Sequence, residues 1–176
     1  MGLDMYLYKA TKGIPVEPLL EADNELVERT LDTSEDVEKV IQEIREKYPE
    51  VKNAEVFKRQ LISSYYYSFF DRIAYWRKAN AIHRWFVVNV QNGVDDCDFY
   101  LVTKEQLETL LDLCKQVSKQ PELAPELLPT QQGFFFGSID YDEYYLDQIE
   151  LTIQQIDEVL RTVDFDKYDV YYYSSW

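Results

Sequence analysis

RIAYWRKANAIHRWFVVNVQ, residues 72–91, is the stretch on which the fold reading of this chain turns. At 100° per residue, Tyr75, Ala79, Ile82, His83, Phe86 and Val90 gather on one side of a helix, and Arg77, Asn80, Arg84 and Gln91 form a separate polar stripe. The spacing predicts an amphipathic helix over 72–91. Asn92-Gly93 would close it, because both residues tolerate the left-handed backbone that ends helices.

Working outward, LDMYLY at residues 3–8 alternates and is rich in strand formers, which predicts a strand. Residues 9–32 carry Gly13, Pro15 and Pro18 and read as an irregular connection. Asp32, Thr33 and Ser34 offer N-caps to a helix reaching about Tyr48, with Val37, Val40, Ile41 and Ile44 inward and Pro49 ending it. A short helix or extended aromatic segment through Tyr65–Phe70 follows.

On the far side, Phe99–Val102 reads as a strand. Thr103 and Gln106 stand in capping-box spacing before a helix with Leu107, Leu110, Leu111, Cys114 and Val117 inward. Residues 119–132 hold three prolines and read as a loop. Phe134-Phe135-Phe136, bracketed by Gly133 and Gly137, reads as a short buried strand. Asp140 and Glu143 cap a helix to about Thr162 with Ile149, Ile153, Ile156 and Leu160 inward, and Val170–Tyr173 closes the chain as a strand. The order implies an α+β fold: a small, mainly antiparallel sheet packed by several helices in one acidic domain spanning 1–176.

Composition narrows the function classes. The 176 residues carry 33 acidic and 18 basic side chains, a net charge of −15. Such a surface repels free nucleic acid and anionic lipid and attracts basic proteins. The charge is uneven: residues 121–176 hold 12 acidic and 2 basic side chains, whereas 56–91 hold 6 basic and 1 acidic. No stretch approaches 18 uninterrupted apolar residues, so no membrane span is expected. Two cysteines, Cys97 and Cys114, make no disulfide framework, which fits a reducing cytoplasm. Phosphate-binding glycine loops, a nucleophile elbow and C-x-x-C pairs are all lacking from the sequence, so the reading leans away from an enzyme.

Three sets of residues stand out. Arg77, Asn80 and Arg84 could grip an anion, or pair with the acidic third of the chain. Asp140, Asp142 and Glu143 could meet a positively charged partner. His83, the single histidine, with Asp95, Cys97 and Asp4, offers the ligand types that zinc accepts, and Asp95 or Asp96 would then serve as base if one metal position were left to water. The same His83 and Cys97 also read as a hydrogen-bonded core histidine and an inert thiol.

The opening MGLDMYLY, the segment YWRKANAIHRWF, the turn NGVDDCDFY and the stretch GFFFGS together resemble a family of small proteins carried by phages and prophages. The resemblance reaches from residue 1 to at least residue 145. It implies action in bacterial cytoplasm, and small acidic proteins of that origin are often antagonists of host defence, anti-CRISPR proteins among them. It marks Asp4, Arg77, Lys78, Asn80, His83, Asp95, Asp96 and Cys97 as a site of unassigned role. The expectation is therefore an inhibitor that binds an RNA-guided CRISPR nuclease and blocks DNA loading. The alternative is a small metal- or nucleotide-binding protein that sequesters or hydrolyses its ligand.

Overall fold

The computed structural model describes residues 2–31 and 35–176. In chain order the elements are β1 (Asp4–Thr11), α1 (Val16–Thr30), α2 (Val37–Lys47), β2 (Phe57–Leu61), β3 (Ser64–Ser68), β4 (Asp71–Arg77), α3 (Asn80–Asn89), β5 (Tyr100–Val102), α4 (Lys104–Lys119), α5 (Ala124–Leu127), α6 (Glu143–Thr162) and β6 (Tyr168–Ser175). The fold is α+β: a four-stranded antiparallel sheet in the order β4-β1-β6-β5 and a separate β2–β3 hairpin.

Four expectations need correcting. Residues 72–91 are not one helix: 72–77 belong to β4, and only 80–89 are helical. The segment AYWR alternates strictly, with Ala74 and Trp76 buried and Tyr75 and Arg77 exposed, and period two suits a strand with one covered face. Lys78, at φ 55°, breaks the strand from α3. The supposed irregular connection contains α1, because Pro15 and Pro18 fall at the first turn, where a missing N–H costs nothing, and Leu19, Ala22 and Leu26 bury one stripe. Phe134–Phe136 form a turn rather than a buried strand, and only Phe136 is inside. On α6 the inward residues are Tyr145, Ile149, Thr152, Ile156 and Val159, so Ile153 and Leu160 sit only half-buried beside that stripe.

The capping expectations fared unevenly for local reasons. The Thr103–Gln106 capping box is present in both directions. Asp32, Thr33 and Ser34 lie outside the described residues, and the α2 cap is Asp36, which accepts from the Glu38 and Lys39 amides. On α6 the cap is Asp142, which accepts from Tyr145 N, while Asp140 lies before the helix and Glu143 begins it.

The backbone divides into two compact units. One comprises 9–71 and 166–169. Within it the Asp23 side chain on α1 accepts from Ser68 Oγ (2.8 Å) and Phe69 N (2.6 Å), which fastens α1 to the end of β3. Burial pushes the Asp23 carboxyl up to about 6, against the lowering effect of those two bonds. The β2–β3 hairpin turns through Ile62-Ser63, with Ile62 at φ 50°.

The other unit comprises 1–8, 72–165 and 170–176. Its helices α4 and α6 pack together. Trp76 Nε1 donates to Thr152 Oγ1 (2.9 Å), joining β4 to α6, and the Phe86 ring on α3 stacks on Tyr172 of β6 at 4.0 Å. On the opposite sheet face Tyr6, Tyr8, Tyr75, Tyr173 and Phe99 form a run of neighbouring rings 4.7–6.0 Å apart. All the candidate site residues fall in this unit.

Candidate functional site

The zinc set does not assemble. His83 is fully buried on α3, and both its ring nitrogens are engaged: Nδ1 with Tyr172 Oη (2.7 Å) and Nε2 with Asp95 Oδ2 (2.9 Å). A carboxylate can only accept, so Nε2 carries the proton and Nδ1 accepts from the Tyr172 hydroxyl. Trp176 Nε1 donates to the other Asp95 oxygen (3.1 Å). Phe136 meets the imidazole edge-on at 5.1 Å. Burial lowers the His83 pKa below its ordinary value, opposed by Asp95, so the ring is neutral at pH 7. Burial likewise holds the Tyr172 hydroxyl protonated.

Cys97, at φ 57°, lies near this cluster; burial, then Asp95 and Asp96, push its thiol up, against a hydrogen bond with the Trp176 backbone, and this disfavours the thiolate that metals bind. Asp96 is spent on the Tyr100 hydroxyl (2.9 Å). Asp4 is held elsewhere, accepting from Tyr75 Oη (2.5 Å) with Arg77 at 3.6 Å. Among the described residues, no group of three or more His, Cys, Asp or Glu side chains could hold a metal ion.

The basic stripe also separates, because Arg77 belongs to β4 while Asn80 and Arg84 lie on α3, Asn80 buried and Arg84 exposed. Arg77 ends β4 beside Asp4. Arg84 lines a cleft beside Trp85, Val88 and Pro129. Asn80 is buried and works as a clamp: its Nδ2 donates to the carbonyls of Phe136 (3.1 Å) and Ser138 (2.7 Å), and its Oδ1 accepts from Gln131 N (3.1 Å).

A shallow cleft with room for little more than a water molecule opens at the start of α3, lined by Lys78, Asn80, Ser138, Asp140, Tyr144 and Gln148 among others. Lys78 threads past Gly137, whose φ of +86° suits glycine and where a Cβ would come 3.3 Å from Lys78 Cβ. Asp140 in the lining opposes an anion there.

The third set is exposed and unspent. Asp140, Asp142 and Glu143 are exposed, and among the described residues none of them is in an ion pair with a cation. Asp142 and Asp140 have local duties as helix cap and as acceptor from Ser138 Oγ (3.3 Å), yet both side chains are exposed. Around them Ile139, Tyr141 and Tyr144 are more than 40% exposed, and Phe134 is 95% exposed. A phenylalanine gains roughly 1.5–3 kcal/mol from full burial, and Phe134 forgoes it.

Sequence reasoning placed the three carboxylates here but missed Phe134. The glycines at 133 and 137, with Pro129 upstream, were the signal for a turn. No protein-family model matches the chain, and neither a curated protein nor a solved structure does. Among the described residues no helix is long and apolar enough to cross a membrane.

Proposed function

We propose that this chain is a non-catalytic binding protein that acts in the bacterial cytoplasm as a phage-borne inhibitor of an RNA-guided CRISPR nuclease. It docks on the nuclease's positively charged channel and blocks DNA loading. The observation that carries the reading is the group Asp140, Asp142 and Glu143, exposed, acidic and without cationic partners among the described residues, in a chain of net charge −15. Such nucleases hold their heteroduplex in a basic channel, and opposite fields steer association. The His83 cluster gives the metal reading less support, since its hydrogen-bonding capacity is spent internally.

The test uses purified, guide-loaded nuclease and measures association, dissociation and target-duplex loading. Asp140→Lys/Asp142→Asn/Glu143→Lys reverses the patch while keeping a side chain that caps α6. Association should slow with rising salt, and should slow more than dissociation quickens in the triple variant. Unchanged inhibition by that variant removes the patch from the interface. The isolated protein should give no shift of free duplex DNA at physiological salt.

A further inference from the structure

We propose that Phe134 is the aromatic anchor of a docking surface on the 130–144 loop, and that its occupant is a basic protein presenting an apolar pocket ringed by arginine or lysine side chains. The inference rests on the binding-protein reading above and names the chemistry of that partner.

Three independent features of the loop lead to it. The first is exposure: Phe134 is 95% exposed, and Ile139, Tyr141 and Tyr144 show apolar surface on the same stretch. Single exposed apolar residues are ordinary, but three on one loop and a fourth in the first turn of α6 concentrate apolar surface on one short segment.

The second is preorganisation. The backbone under Phe134 is pinned from several sides: Phe136 N donates to Gly133 O (3.2 Å), Leu3 N to Phe135 O (3.1 Å) and Thr130 Oγ1 to Ile139 O (2.9 Å), besides the three bonds of Asn80. Phe136 is buried against His83 and Trp176, and Phe135 meets the Phe134 ring edge-on at 4.8 Å. A Cβ at Gly133 would come within 2.5 Å of the Phe136 ring, so this turn is built around glycine. The scaffold thus fixes the backbone that presents Phe134, so little loop entropy is lost on binding.

The third is charge. Asp140, Asp142 and Glu143 are interleaved along the chain with the exposed Ile139, Tyr141 and Tyr144, and among the described residues none of the three is in an ion pair with a cation. An apolar anchor and unpaired carboxylates on one segment fit an apolar pocket with a basic rim. An anionic lipid surface would be repelled, and so would a second copy carrying the same −15 charge.

The experiment compares immobilised parent protein, Phe134→Ala and Phe134→Trp, with melting temperatures confirming that all three fold alike. Each is exposed to guide-loaded nuclease and, separately, to bacterial lysate whose retained proteins are identified by mass. The parent should hold the nuclease, Phe134→Ala should bind about thirtyfold more weakly, and Phe134→Trp should restore most of the affinity. Equal binding by parent and Phe134→Ala overturns the anchor and leaves the nuclease reading standing. If the parent does not hold the nuclease, that reading falls and the lysate decides the anchor. A basic protein lost from Phe134→Ala and regained by Phe134→Trp upholds it. Retention that does not change between parent and Phe134→Ala overturns it, as does dependence on Phe134 seen only in self-association or on lipid vesicles.

Discussion

The His83 cluster and the 130–144 loop are both mixtures of aromatic rings and carboxylates, and they have been used in opposite ways. Around His83 the polar groups satisfy one another: Trp176 and His83 donate to Asp95, and Tyr172 donates to His83. The apolar partner of that cluster, Phe136, is inside. Two residues earlier in sequence, Phe134 is in water, and further along the same segment Asp140, Asp142 and Glu143 pair with no cation among the described residues. A cluster whose groups are all satisfied holds the fold together. One whose apolar and charged groups remain unspent has free energy left for a partner. The imidazole and carboxylate that look most chemical in sequence are therefore bonded to one another and to Tyr172 and Trp176, whereas Phe134 of the plain FFF stretch stays exposed.

Stability measurements give the largest effect that separates the two. His83→Ala should lower unfolding free energy by about 3 kcal/mol or more, since it empties a fully buried position and leaves Asp95 and Tyr172 short of a partner. Phe134→Ala should change it by no more than about 0.5 kcal/mol, because the ring is almost wholly exposed. Denaturant titrations of both variants check this. Similar losses from both would erase the distinction.

Asn80→Ala should have an intermediate effect, about 1–3 kcal/mol, by freeing two carbonyls and an amide of the loop. Hydrogen exchange should quicken at the Gln131 amide while the core of α6 stays protected. Unaltered exchange there would mean that the clamp does not organise the loop.

The smallest effect is in pH dependence. The His83 pKa is lowered in the folded protein, so as pH falls through 6.5 the unfolded chain takes up a proton before the native one does. This contribution to stability is complete above 6.5 and is lost as pH falls toward the folded value. Asp23 acts with the opposite sign: its carboxyl, raised to about 6, makes stability fall as pH rises from about 4 to 6. The gap in melting temperature between parent and His83→Gln should therefore narrow on going from pH 7.5 to 5.5, and that between parent and Asp23→Asn should widen in the unfavourable direction for the parent from pH 4 to 6.5. Parallel curves would place the titrations elsewhere.

Much of the fold was legible where short-range interactions decide it. The helices α2, α4 and α6, the strands β1, β5 and β6 and the Thr103–Gln106 box follow from caps and periodicities within a few residues. The acidic group at the start of α6 was also visible, because exposed charge has no competing role to hide it. The tertiary structure alone decided the rest. RIAYWR pairs with β1 as a strand, although Tyr75 and Arg77 also fitted the helical stripes of the residues that follow. His83 is neutral and spent because Asp95 and Tyr172 arrive from 12 and 89 residues away. Phe134 points outward because Asn80, 51–58 residues from the backbone it holds, fixes the turn beneath it. Local sequence carries propensity and charge; which polar groups are satisfied and which ring is left in water depends on partners brought together only when the chain folds.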